Sequence, residues 1–508
     1  MGLKKLRDKL EIRNTFAGKF LTSVGRGELM NIKYPDYNNC IANLSCSILK
    51  EFGVEKESKQ GLAACEEIFR EQYKNVVVLL LDGMGTSIIE KNLSKDGFFA
   101  KHLITTYSSV FPPTTVAATT SIDSGKEPVE HSWLGWECYY KEIDKNVTVF
   151  LNTEAGTQEA AADFPVAYTY CGYESVVQQI IEKGGKAYYA TPFVEPYPDN
   201  FEAICDRVEN LCQKEGKKYI YAYWNEPDFT MHKKGCHHEE SVRLLQNLEK
   251  RVEKLCENLQ DTLVIVTADH GHIDAESVAI EEYPEIMECL VRLPSIEPRA
   301  LSLFVKEGLE KQFETVFHQA FGEKFLLLTK EQVKEKKLFG LGVEHPQFDS
   351  MLGDYLAVAI DNLAIFNTRE EKEKFIGVHA GLTEEEMNIP LIAIKRAAKY
   401  PMLHETVTVT VDRKMGTYHP KHPDIFYPIN YGYIEGIMAG DGEEQDAYII
   451  GVDVPVDTFT GTVAAIIHRK DDVEEKWVVC PAGMKFAKEE IVEQVKFQEQ
   501  YFDSYVIT

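Results

Sequence analysis

No apolar run in the chain approaches the roughly 18 residues that a membrane-spanning helix needs, so no membrane span is expected. The eleven cysteines are scattered, odd in number and form no C-x-x-C pair. That pattern suits reduced, buried thiols in a cytoplasmic protein better than a disulfide framework. Basic residues are few, 55 Lys and Arg against 81 Asp and Glu, giving a net charge of −26 and a pI near 5.1. So acidic a surface argues against a nucleic acid polymer or an anionic membrane as partner, because phosphate contacts need a basic patch. A small phosphorylated substrate remains compatible, since bound cations reverse the local field. There are no internal repeats and no low-complexity tract. The first 29 residues carry Lys4, Lys5, Arg7 and Lys9 without an apolar stretch behind them, which speaks against a secretory signal. Gly25-Arg-Gly-Glu-Leu-Met30 permits a purine-rich codon run, so Met30 is the expected native start and residues 1–29 an extension.

What is present begins with length: 508 residues suffice for two or more domains with a large core. The chain is organised around Asn75 to Asp82 (N-V-V-V-L-L-L-D), followed by Gly83-Met84-Gly85. An unbroken aliphatic run bounded by polar residues reads as a strand buried on both faces, as in parallel α/β sheets. It ends on a carboxylate, where such sheets collect their functional groups. Two further apolar runs repeat the pattern. Leu263 to Ala268 leads into Asp269-His270-Gly271-His272, and Tyr219 to Trp224 leads into Asn225-Glu226-Pro227-Asp228, with His232 four residues on. Crowded carboxylates repel unless cations lie between them, and imidazole beside carboxylate suits zinc or manganese. A metal centre is the expectation.

Along the chain, helices are expected at Ile41–Leu49, Cys65–Tyr73 and Thr86–Leu93, and a strand at Leu103–Val110. Phe111-Pro112-Pro113-Thr114-Thr115 places Thr114 or Thr115 at a helix N-terminus, where backbone N–H groups and the dipole favour anions. Either hydroxyl can serve as a plain N-cap, or as a nucleophile ionised beside metal. Gly125–Trp136 reads as a loop at the mouth of a site. From 283 to 375 the βα rhythm loosens into an inserted cap, with helical stretches at Ala300–Lys311 and Lys330–Lys337. Val378-His379-Ala-Gly and the apolar strand Ile389–Ile394 follow. Beyond a linker at 397–404 the pattern changes to the period-two alternation Thr406-Val-Thr-Val-Thr-Val-Asp412.

On these motifs, residues 30–396 resemble the alkaline phosphatase superfamily, nearest its type I phosphodiesterase/nucleotide pyrophosphatase branch. V-L-L-L-D-G, F-P-P-T-T-V, N-E-P-D-F-T-M-H-K-K-G, T-A-D-H-G and V-H-A-G occur in the family's order. The resemblance implies an α/β fold, a mostly parallel sheet sandwiched by helices, and a hydrolase with a nucleophile at Thr115 rather than Thr114. It also implies two divalent metals, zinc or manganese. Asp228, His232 and His379 would hold one, and Asp82, Asp269, His270 and Thr115 the other. Trp136 stands where related phosphodiesterases place an Asn that holds a phosphoryl oxygen, which leaves the substrate class open. His272 reads as a supporting neighbour of the ligands, His237 and His238 as solvated, and His131 as lining the mouth or structural.

Residues 405–508 resemble family I inorganic pyrophosphatases through Y-P-I-N-Y-G-Y-I-E-G and D-G-E-E-Q-D-A-Y-I-I-G. That implies a small β-barrel binding magnesium and phosphate through Tyr431, Asp441, Asp446, Asp471 and Lys476, with Glu443 where the family has Asp. The expected function is a metal-dependent phosphodiesterase or nucleotide pyrophosphatase on a small phosphorylated substrate such as a nucleotide, coupled to pyrophosphate hydrolysis. A phosphomonoesterase or phosphomutase on the same scaffold is the alternative enzyme. A phosphate- or nucleotide-sensing protein with a non-catalytic second domain is the alternative without turnover.

Overall fold

A computed structural model describes residues 32–55, 59–470 and 472–508. The expected extension and the start at Met30 lie outside them. The chain divides into two compact units, one ending at Arg396 and one spanning Ala397–Thr508.

The first unit is built on a six-stranded sheet. Its strands are β1 (Asn75–Leu81), β2 (Leu103–Ser108), β3 (Lys186–Ala190), β4 (Lys218–Trp224), β5 (Thr262–Thr267) and β6 (Asn388–Arg396), in the order β2-β6-β5-β1-β4-β3. β5, β1, β4 and β3 pair in parallel. β6 runs antiparallel to both β5 and β2. Every residue of β1 is buried, because helices cover both faces of such a sheet and leave no polar side. The covering helices are amphipathic. In Glu239–Asn258 the buried positions Leu245, Leu248, Val252 and Leu255 recur at three- and four-residue steps, and the positions between them are polar or charged.

A second, antiparallel sheet joins Glu137–Tyr140, Lys145–Thr148 and Thr153–Glu154 to strands from 295–359. The expected helix over Ala300–Lys311 is corrected here. Ala300–Leu303 is a strand paired with Ser295–Glu297, and the helix begins only at Glu310. Ala-Leu-Ser-Leu is buried at every position, so it carries no alternation to tell strand from helix. The helix expected at Cys65–Tyr73 is shorter, Ala63–Ile68. The expected loop Gly125–Trp136 contains a helical turn at Pro128–His131, started by the proline at its first position.

The second unit is a closed five-stranded barrel. β7 (Thr406–Arg413), β8 (Asn430–Met438), β9 (Glu444–Ile449), β10 (Thr458–Arg469) and β11 (Glu475–Cys480) pair in the ring β7-β8-β9-β11-β10, which closes through β7 and β10. In β7, Val407, Val409 and Val411 face the core, as the period-two pattern requires. The long β10 also pairs with β12 (Ser504–Ile507). All eleven cysteines are unpaired and buried. Among the described residues, no helix is long and apolar enough to cross a membrane.

Candidate metal centre

The topology gathers the candidate ligands at one edge of the first sheet. Asp82, Asp228 and Asp269 follow the C-terminal ends of β1, β4 and β5, three adjacent strands running the same way. β6 runs the opposite way, so His379, which precedes it, arrives at that same edge. β2 points there too, and the helix α1 (Thr115–Ser124) begins shortly after it.

Around Thr115 the contacts are close. Its Oγ1 lies 3.4 Å from Asp82 Oδ1 and 3.2 Å from His270 Nε2. Asp82 is fixed from behind by the Tyr223 hydroxyl, which donates to Oδ2 at 2.5 Å. Asp269 accepts the backbone N–H groups of Gly83 and His270 on Oδ1, at 3.0 and 2.9 Å. His232 Nε2 and His272 Nε2 lie 3.3 and 2.7 Å from the two oxygens of Asp228. The other nitrogen of His232 meets the Gly377 carbonyl at 2.7 Å. The His270 and His379 rings stack with centroids 3.9 Å apart.

Two groups have ligand atoms mutually within 4.8 Å: Asp228, His232, His272 and His379, and Asp82, Asp228 and His270. Asp228 belongs to both, so the two clusters are contiguous. Burial drives the Asp269 carboxyl well above the usual range, with the Asp82 charge adding to the shift. Burial also pulls His270 down, but Asp269 and Asp82 outweigh it and hold the imidazole at about 10. Burial pushes His379 well below its ordinary value, helped by His270, and takes His272 to about 4 against the pull of Asp228. His379 and His272 are therefore neutral imidazoles with lone pairs, while His270 carries the proton that balances the crowded carboxylates; a divalent cation suits the same donor set by taking that proton's place. Asp269 Oδ2 and His379 Nδ1 are buried without a hydrogen-bond partner, which costs about 1–3 kcal/mol for each neutral group. Asp269 Oδ2 lies 3.6 Å from His270 Nε2, where a coordinated cation would satisfy it, so the residues fit the metals that the motifs imply.

Thr114 occupies the N-cap position of α1, yet its hydroxyl makes no cap bond. It donates instead to Glu297 Oε1 at 2.5 Å, and the Trp136 N–H donates to the same oxygen at 2.8 Å. Burial raises the Glu297 carboxyl to about 7. Sequence reasoning passed over Glu297, Tyr223 and the buried pair Arg299–Glu386. Only Tyr223 left a trace, an inward position in the Y-I-Y-A-Y-W alternation. Trp136 is 42% exposed. His131 is buried between Ser121 and the Trp133 N–H, a structural role. His237 and His238 are exposed, and His238 caps the following helix.

In the barrel, Tyr431, Asp446 and Lys476 come together. The Tyr431 hydroxyl and Lys476 Nζ reach Asp446 Oδ2 at 2.6 and 2.5 Å, and Lys476 also meets Glu474 at 2.5 Å. Asp441 and Glu443 lie in the exposed β8–β9 turn, where the Glu443 N–H donates to Asp441 at 3.0 Å. Asp471 lies outside the described residues. Among those residues, both groups of candidate metal ligands fall in the first unit.

A helix-flanked, mostly parallel sheet with carboxylates, imidazoles and a hydroxyl at one edge resembles the phosphoester hydrolases of the alkaline phosphatase superfamily. Residues 76–302 match the model of the type I phosphodiesterase / nucleotide pyrophosphatase family. Among solved structures, murine ectonucleotide pyrophosphatase / phosphodiesterase 5, an inactive form in complex with AMP, is 16% identical with a TM-score of 0.50. That match covers 66% of this chain and 89% of the murine one. The human counterpart is 15% identical with a TM-score of 0.51, covering 63% and 90%. At such identity the likeness is one of fold. No curated protein matches by sequence.

Proposed function

We propose that the first unit hydrolyses phosphodiester or phosphoanhydride bonds of nucleotide-like substrates, with Thr115 as nucleophile and two divalent cations. The observation that carries this is the Thr115 hydroxyl beside Asp82 and His270, at the sheet edge where two carboxylates and four histidines bring their ligand atoms together. Asp228, His232 and His379 hold one ion, and Asp82, Asp269, His270 and Thr115 the other, with zinc favoured by the mixed donors and manganese compatible. When bound, the ions supply Lewis acidity to the phosphoryl oxygens and lower the pKa of a coordinated hydroxyl or water.

The chain's own groups do the rest. Thr115 Oγ1 attacks phosphorus, and the leaving oxygen departs with the electron pair of the broken P–O bond. Water then cleaves the Thr115–phosphorus ester. Thr115 is the first residue of α1, so the unpaired N–H groups of that turn lie beside the attacking atom and favour phosphoryl charge. Tyr223 and His272 hold Asp82 and Asp228 in place. Phe193 is 72% exposed with its ring 5.8 Å from that of Tyr223, an aromatic face near the site on which a base can stack. The AMP complex of the murine relative supports a nucleotide as the substrate class. The unpaired, buried cysteines support a cytoplasmic setting.

The test is turnover of a nitrophenyl phosphodiester against the corresponding monoester, with added zinc or manganese. Faster diester cleavage is expected. A strong preference for the monoester would replace this reading with a phosphomonoesterase or phosphomutase.

A further inference from the structure

The turn Glu297-Pro298-Arg299 joins two strands of the second sheet, Ser295–Glu297 and Ala300–Leu303. Arg299 is fully buried, and its guanidinium forks onto Glu386, Nε to Oε1 at 2.7 Å and Nη2 to Oε2 at 2.8 Å. Its remaining nitrogen donates to the carbonyls of Asp361 and Leu363 at 2.8 and 2.7 Å. Every direction around the cation is therefore filled.

Glu386 reaches both histidine loops. Its Oε1 accepts the Gly381 N–H at 2.7 Å, two residues after His379. Its backbone carbonyl accepts the Gly271 N–H at 2.8 Å, one residue after His270. Contact is so close that a Cβ on Gly381 would lie 2.6 Å from Arg299 Nη2, and one on Gly271 would lie 1.8 Å from the Glu385 carbonyl. Between His379 and Gly381, Ala380 has φ of +90°, a conformation that persists only where its surroundings impose it. On the other side of the turn, Glu297 Oε1 takes the Thr114 hydroxyl and the Trp136 N–H.

We infer that Glu297-Pro298-Arg299 is a two-armed positioning device for the active site. The Arg299–Glu386 arm sets the loops of His270 and His379, and the Glu297 arm sets the start of the Thr115 helix. A buried ion pair is often replaceable by apolar residues at no loss of stability, so its presence calls for a positional reason. Here that reason is the Gly381 N–H, bound by the Glu386 carboxylate two residues after His379, and the placing of the Glu386 backbone whose carbonyl takes the Gly271 N–H beside His270. The inference rests on the two-metal reading for its consequence, and on the hydrogen bonds for its existence.

The experiment separates the arms and separates both from folding. Removing one half of a buried pair can unfold a chain, so the first arm uses the paired variant Arg299→Met/Glu386→Leu beside Arg299→Lys. Zn²⁺ affinity is measured by equilibrium dialysis, and amide exchange is followed in peptides covering 269–273 and 377–383. A cooperatively folded paired variant is expected to bind Zn²⁺ at least tenfold more weakly and to exchange faster in both peptides. Wild-type affinity and exchange in that variant would overturn the first arm. For the second, Glu297→Ala is expected to lower kcat on a nitrophenyl phosphodiester about tenfold with Zn²⁺ affinity unchanged. Glu297→Gln, which keeps Oε1, is expected to restore it. Unchanged kcat in Glu297→Ala, or no recovery in Glu297→Gln, would overturn that arm. If wild type itself binds no Zn²⁺ or Mn²⁺, the two-metal reading fails, while the exchange data still decide the clamp.

Discussion

The Thr115 hydroxyl lies 3.2 Å from His270 Nε2, whereas the hydroxyl one residue earlier turns away to Glu297. Adjacent threonines thus face different chemistry. Thr115→Ala is expected to lower phosphodiester hydrolysis by orders of magnitude, as loss of a covalent nucleophile does. Thr114→Ala loses one hydrogen bond, about 1 kcal/mol, and is expected to cost no more than about tenfold. Steady-state kinetics of the two variants decide the point. A dead Thr114→Ala beside an active Thr115→Ala would move the nucleophile by one residue.

Removal of metal should silence the enzyme and loosen the fold together. Two buried carboxylates, Asp82 and Asp269, and the partly buried Asp228 lie near one another at the sheet edge, so a cation there stabilises the native state by mass action, about 2.7 kcal/mol at a hundredfold excess over Kd. Chelation is expected to abolish hydrolysis and lower Tm, and zinc or manganese to restore both. Full activity in chelated, metal-free protein would end the two-metal mechanism.

Asp123 offers a test in pH. It sits near the end of α1, partly buried, and accepts the hydroxyls of Tyr189 and Tyr173 at 2.7 and 3.2 Å. Burial raises its carboxyl to about 6 despite those bonds. The folded state therefore holds this proton more tightly than the unfolded chain. The group's favourable contribution is complete below about pH 4 and is lost as pH rises towards 6. At pH 7.5 the ionised carboxylate costs stability on the order of 3 kcal/mol, from roughly two pKa units. Asp123→Asn is expected to raise Tm at pH 7.5 and to make little difference near pH 4. Melting curves across that range check it, and an equal shift at both ends would refute the assignment.

Sequence was most informative where burial leaves a simple pattern. V-V-V-L-L-L announced a strand covered on both faces, and the carboxylate after it marked the edge where β1, β4 and β5 all end. Thr-Val alternation announced β7 in the same way. The strand Ala300–Leu303 was hidden by the opposite circumstance, because all four residues are buried and no period is visible. Glu297, Arg299 and Glu386 were hidden because their meaning is tertiary. Glu386 lies 87 residues from Arg299, and a charge so placed looks like any surface residue until the chain buries it.

The second unit poses the last prediction. Cleavage between the α and β phosphorus of a nucleoside triphosphate leaves pyrophosphate, the substrate that the barrel's resemblance implies. A tether raises the local concentration of the second site, although a small diffusible product gains little unless the sites face each other. Within the barrel, Asp446 Oδ2 is held by Tyr431 and by Lys476, whose side chain is 3% exposed. A carboxylate engaged in this way must loosen its lysine to bind magnesium. Glu443, one methylene longer than the family's Asp, lies in an exposed turn. If the barrel nevertheless turns over pyrophosphate, wild type given nucleoside triphosphate and Mg²⁺ releases orthophosphate. Asp446→Asn then accumulates pyrophosphate at an unchanged first-step rate, because Asp446 lies in the other unit from Thr115. Following pyrophosphate and orthophosphate separately gives the answer. Should wild type leave pyrophosphate intact, the Asp446–Lys476 pair is a closed structural bridge, and the barrel binds without catalysing.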